Sequence, residues 1–158
     1  MTLSHQVAKH LREVHFGGTW TAADLRGKLD GVTWVQATTQ VASFHTIACL
    51  VYHINYYIHA AIEVLEGGPY RGDDAESFDC PPIASSEDWE RLKGESWRDA
   101  ERLACLIEEL PDEKLKAFFV DEQSGTNFRC LHGRVEHAYY HLGQISMIKS
   151  LLAGELPA

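Results

Sequence analysis

The sequence predicts an all-α fold, a bundle of four principal helices with an additional short helix, and three observations carry that reading. Apolar residues recur at helical spacing in four separate stretches, glycine or proline punctuates the ends of those stretches, and no segment sustains the period-two alternation of a strand. Leu3, Val7, Leu11 and Val14 follow one another at helical intervals, and Gly17-Gly18 ends that first helix. Thr21 with Asp24 resembles a capping box, and Trp20 and Leu25 are placed to staple a short helix over 21–29 before Asp30-Gly31 breaks it. The next helix spans Thr46 to Glu66, with Ile47, Leu50, Val51, Ile54, Ile58, Ile62 and Leu65 apolar and no Pro or Gly before Gly67-Gly68-Pro69.

Residues 67–85 read as a long loop, because punctuators and Asp73-Asp74 interrupt any period. Ser86 is the expected N-cap of a third long helix, whose stripe of Trp89, Leu92, Ser96, Ala100, Leu103, Ile107 and Leu110 stops before Pro111. Phe118 to Val120 suits a short extended piece, Ser124-Gly125-Thr126-Asn127 a turn, and Arg129 to Leu152 the last helix, ending at Gly154.

The length of 158 residues suits one domain over 1–158 with a core that needs no disulfide framework, so Cys49, Cys80, Cys105 and Cys130 are expected as free thiols. A formal net charge of −9 opposes binding to nucleic acid or to an anionic membrane surface. The N-terminus has neither the basic nor the apolar region of a signal peptide, which points to a cytoplasmic protein. The apolar stretch from Thr46 to Leu65 is interrupted by His53, Asn55, His59 and Glu63 and reads as a buried helix rather than a membrane span.

The histidines carry the functional signal. His137 and His141 are four residues apart, which on a helix puts them about 40° apart around the axis and about 6 Å along it, on one face. His53 shares its face with Thr46, Cys49, Leu50, Tyr56, Tyr57, Ala60 and Val64 and is expected to be buried. A buried imidazole needs a partner for each nitrogen, and a cation shared by three imidazoles meets that need, with one coordination position left open. Each part alone has a plainer explanation, a core histidine satisfied by hydrogen bonds. The remaining histidines, His5, His10, His15, His45, His59 and His132, read as surface or capping residues.

The segment His137-Ala138-Tyr139-Tyr140-His141-Leu142-Gly143-Gln144-Ile145, with Tyr52-His53-Ile54-Asn55-Tyr56 upstream, resembles the DinB-like superfamily, also called YfiT-like. Gly18-Thr19-Trp20 through Leu29 is similar to that family's early Trp and short helix, and Ser86 to Leu110 to its third helix, so the resemblance covers nearly the whole chain. The HxxxHxGQI run is its specific element. The resemblance implies a four-helix bundle of DinB type with an unusual helix order, often a homodimer. It further implies a divalent ion such as zinc or nickel on three His, here His53, His137 and His141, and thiol-dependent transfer or isomerisation of small molecules with a low-molecular-weight thiol.

Competing chemistries fail on inspection. Ala138 stands where a zincin protease needs Glu after its first His, no Glu has His three residues later as a di-iron site needs, and Gly-x-Ser-x-Gly, P-loop and Cys-x-x-Cys motifs are missing. Around the triad, Tyr56, Tyr57, Tyr140 and Gln144 are candidate donors to a bound group, and Arg134 either attracts a substrate carboxylate or pairs with Glu136 or another acid. Cys49 or Cys130 is a conceivable fourth ligand that would close the site, and Trp34 and Trp97 are candidates for an interface. Three functions follow: a metal-dependent transferase, by resemblance a thiol S-transferase; a metal-dependent hydrolase using bound hydroxide; or a non-catalytic metal-binding or ligand-binding bundle.

Overall fold

A computed structural model describes residues 1–154. The regular elements are helices: α1 (Leu3–Phe16), α2 (Leu25–Leu29), α3 (Trp34–Thr38), α4 (Ile47–Leu65), α5 (Asp74–Ser77), α6 (Ser86–Glu108), α7 (Asp112–Leu115) and α8 (Asn127–Leu152). An isolated antiparallel bridge between Phe118 and Thr126 is all that forms of the extended piece anticipated at Phe118 to Val120. No helix among the described residues is long and apolar enough to cross a membrane.

The four long helices pack in a ring. α6 lies against both α1 and α4, α8 does the same from the other side, and α1 and α4 therefore stand diagonally across the core. The apolar stripes legible in the sequence fill it: Val7, Leu11 and Val14 from α1, Ile47, Leu50, Ile54 and Ile58 from α4, Trp89, Leu103 and Ile107 from α6, and Leu131, Leu142 and Ile145 from α8. Removal of this apolar area from water is the main stabilising term. Trp89 also donates its Nε1–H to the Val32 carbonyl at 2.8 Å, which fastens the segment after α2 to α6.

Helix starts follow side-chain caps. Thr46 accepts from the Cys49 amide and Thr126 from the Arg129 amide, so α4 and α8 begin where a threonine satisfies an otherwise unpaired N–H. Asp112 caps α1 from a distant part of the chain, its carboxylate accepting from the Leu3 and Ser4 amides at 3.1 Å each. Gly17 closes α1 with φ +108°, a backbone conformation that side chains oppose.

Several local expectations are corrected. The short second helix starts at Leu25, capped by Asp24, whose Oδ1 accepts from the Gly27 amide at 2.8 Å. The Thr21 capping box and the Trp20 staple do not form: Thr19 binds the Ala23 backbone instead, Ala22 takes φ +52°, and Trp20 is fully exposed. Ser85 rather than Ser86 caps α6, through the Asp88 amide. The short helices α3, α5 and α7 have no sustained stripe and escape a periodicity argument, although Thr33 and Gln36 form a complete capping box for α3. Trp34 and Trp97 are half-buried against the core, with Trp97 edge-on to Phe16 and under the Arg26 guanidinium.

His15 is not a surface residue. It sits one turn after Leu11 on the inward face of α1, is buried, and donates from Nδ1 to the Leu11 carbonyl at 2.8 Å. Burial holds its pKa down to about 4, against an ordinary value of 6.5. The unfolded chain therefore takes up this proton first as pH falls, and native stability drops between pH 6.5 and about 4, then levels. A shift of this size corresponds to roughly 3 kcal/mol. Urea unfolding of the parent and of His15→Gln across that range should show the parent losing more stability on acidification. Parallel losses in the two proteins would contradict the assignment.

Candidate metal centre

α4 and α8 bring the three predicted histidines together. His53 lies on the buried face of α4, and His137 and His141 lie one turn apart on the face of α8 that packs against it. His137 Nε2 is 2.9 Å from His53 Nε2 and 3.0 Å from His141 Nε2. Among the described residues, these three are the group of His, Cys, Asp and Glu side chains whose ligand atoms lie within 4.8 Å of one another. His53 and His141 are buried and His137 is half-buried.

Hydrogen bonds on the far side of two rings set their protonation. Ser77 Oγ donates to the Asp74 carbonyl at 2.7 Å, so it receives the Nδ1–H of His53 at 2.8 Å through a lone pair. The Gln144 side-chain carbonyl accepts from His141 Nδ1 at 2.6 Å. Both imidazoles are thereby fixed as Nδ1–H tautomers with the Nε2 lone pair turned toward the common point. Lone pairs at such distances repel unless a proton or a cation lies between them. Three nitrogens at a metal–nitrogen distance of about 2.05 Å around a tetrahedral ion stand about 3.3 Å apart, so the two separations that His137 makes need to open by only a few tenths of an ångström to match it.

The surroundings oppose protonation of these rings. Burial, reinforced by the His141 imidazole, pushes His53 down to about 4. Burial, with His141, His53 and the Arg134 cation nearby, pushes His137 down to about 3, and burial also lowers His141. All three are neutral at physiological pH, the state that a cation requires.

Aromatic rings wall the cluster. Phe78 stacks on His53 at 3.8 Å between centroids and, on its way to the surface, on the exposed His45 at 4.3 Å. Tyr57 stands edge-on to both His53 and His137 at 5.3 Å and donates its hydroxyl to the Asp74 carboxylate. Burial and that bond raise the phenol to about 12. A cavity of about 950 Å³ opens beside His53 and His137, bounded by Tyr57, Tyr70, Phe119, Arg134 and Tyr140.

The other sequence candidates separate on this geometry. Tyr140 edges His141 at 4.9 Å and is largely exposed at the cavity mouth. Gln144 supports His141 through its carbonyl rather than donating into the site. Tyr56 turns away and donates to Glu76 at 3.0 Å. Arg134 does not pair with Glu136, whose carboxylate is taken by Arg129 at 3.2 Å and His132 at 3.4 Å; its Nε donates to the Tyr57 carbonyl at 3.1 Å. Neither thiol joins the triad: Cys49 Sγ lies against His45 Nδ1 and the Phe78 carbonyl, and Cys130 Sγ donates to the Ser124 carbonyl at 3.0 Å.

Comparison of the chain with family models, curated proteins and solved structures returned no match. The resemblance described above therefore rests on the residues quoted for it.

Sequence reasoning missed Asp74, Ser77 and Phe78, which all sit in the segment read as loop. The available signal was Asp73, which caps α5 through the Ala75 and Glu76 amides and so marks a helical turn. In metal-free protein at pH 7.5, imidazole ¹⁵N shifts should report Nδ1–H tautomers for His53 and His141, with no protonation of His53 or His137 above pH 5. Ser77→Ala should return His53 toward a tautomer mixture; an unchanged His53 signal would mean that Ser77 does not set it.

Proposed function

We propose that this chain is a divalent-metal-dependent enzyme with His53, His137 and His141 as the ligands, and that it acts as a thiol S-transferase of the DinB-like kind. The observation that carries the reading is the convergence of three Nε2 atoms from two helices, two of them held as lone pairs by bonds at Nδ1. A donor set of three neutral imidazoles suits zinc, nickel and related borderline ions. A cation so held supplies Lewis acidity, which favours the thiolate form of a thiol at neutral pH.

The residues of the chain do the rest. Ser77 and Gln144 hold the ligand rings in orientation and raise their donor strength. Phe78 and Tyr57 shield the rings from bulk water, which strengthens every electrostatic interaction there. The cavity beside His137 is large enough for a small-molecule substrate. No carboxylate lies among the clustered ligand atoms, which favours a reaction in which the cation rather than a side-chain base handles deprotonation. The absence of either cysteine from the cluster leaves the fourth position open, which supports catalysis over a closed structural site. The diagonal order of the four long helices is consistent with a DinB-type bundle. We place the protein in the cytoplasm, acting on a small molecule with a low-molecular-weight thiol, as a homodimer.

Elemental analysis of protein purified without a metal-affinity tag should find close to one equivalent of zinc or nickel per chain. His141→Ala should lose it, whereas His59→Ala, at an exposed ion pair with Asp99, should keep it. Ser77→Ala and Gln144→Leu should each weaken affinity by about 10–100-fold. Unchanged metal content in His141→Ala would remove the site, and turnover of an electrophile by metal-loaded protein without added thiol would replace transfer with hydrolysis.

A further inference from the structure

The cavity beside the triad holds an uncommitted charge. Of the two arginines that line it, Arg129 is paired with Glu136, whereas Arg134 forms no ion pair among the described residues. Arg134 is half-buried on α8, and its planar group is fixed from one edge: Nε donates to the Tyr57 carbonyl at 3.1 Å, and Cζ sits 5.5 Å from the Tyr57 ring centroid. That leaves the two terminal nitrogens, a rigid fork of N–H donors, without a protein acceptor on a wall of the cavity. The other unpaired charge of the cavity, Asp74, is engaged at the opposite end of the same tyrosine by its hydroxyl. Tyr57 thus keeps the carboxylate of Asp74 occupied while its backbone and ring aim the guanidinium.

The terminal nitrogens of Arg134 face the cavity with no acceptor among the described residues, and a bidentate oxyanion is the ligand whose geometry matches that fork. Arg134 precedes His137 by three residues and His141 by seven on one helix, so the backbone positions of Arg134 and His137 are about 4.5 Å apart along the axis, and both side chains line the same cavity. We infer that Arg134 is a substrate-anchoring residue and that the substrate is a small carboxylic acid, its carboxylate on the Arg134 fork and its reacting group, a short spacer away, at the three imidazoles. The inference rests on reading this cavity as the substrate site of the proposed enzyme, and it narrows the substrate class.

The test uses cobalt(II)-loaded protein titrated with 3-mercaptopropionate and with 3-mercaptopropionamide, followed by the charge-transfer absorption of the cobalt–thiolate pair. The carboxylate is expected to bind at least about 10-fold more tightly than the amide. In Arg134→Gln, with cobalt content and helical circular dichroism unchanged, that preference should collapse to within about 2-fold. No preference in the parent, or a preference that survives in the variant, overturns the anchor. Metal-free parent protein supplies an independent arm: the Arg134 Nε–H resonance should shift saturably with succinate and less with inorganic phosphate at equal concentration. No shift with succinate, or a stronger response to phosphate, overturns the carboxylate assignment. Failure of the protein to take up cobalt would sink the metal reading alone, since the succinate arm still decides the anchor.

Discussion

The interaction on which the centre depends is the approach of three neutral imidazole nitrogens inside a helical core. Lone pairs turned toward one point from two helices are mutually repulsive, and burial makes relief by protonation expensive. The fold accepts that repulsion because other groups fix each ring from behind. Ser77 and Gln144 take the Nδ1 protons of His53 and His141, and Phe78 clamps the His53 ring by stacking. A proton on His137 Nε2 satisfies one of the two facing lone pairs in the neutral cluster, whereas a cation shared at its centre would engage all three nitrogens.

The segment between α4 and α6 supplies much of that support. α5 is a single capped turn, yet its Asp74 receives the Tyr57 hydroxyl, its Asp74 carbonyl orients Ser77, and Phe78 follows directly as its C-cap. A piece of chain that looks like connection in composition therefore acts as the back wall of the site. Tyr57 joins this wall to α8 through its carbonyl bond to Arg134, so the orientation of the histidines and the aim of the arginine are mechanically linked.

Much of the architecture was legible because it follows from periodicity. The stripes Val7 to Val14, Ile47 to Ile62 and Trp89 to Ile107 are buried as helical spacing demands, although Leu3 at the start of the first is exposed, and the glycines at 17, 67 and 154 mark helix ends. The errors share a cause. Thr21 and Ser86 are good N-cap residue types, but Asp24 and Ser85 stand where the chain actually enters each helix. His15 was read by residue type as a surface group, while its place one turn after Leu11 puts it inside. Local chemistry proposes a cap or a surface; packing decides which of several adjacent candidates is used.

The sequence by itself determined which residues can form the centre: the HxxxH spacing fixes two imidazoles on one helix face, and an apolar α4 makes His53 an inward group. Only the tertiary structure decided that the helices meet at the depth where the nitrogens approach one another, that Cys49 and Cys130 stay outside the cluster, and that Arg134 has no acid partner among the described residues. The physical reason is range. Residue spacing specifies angle and rise along one helix to within an ångström, whereas the distance between side chains on different helices depends on how the cores interlock, which no single segment encodes.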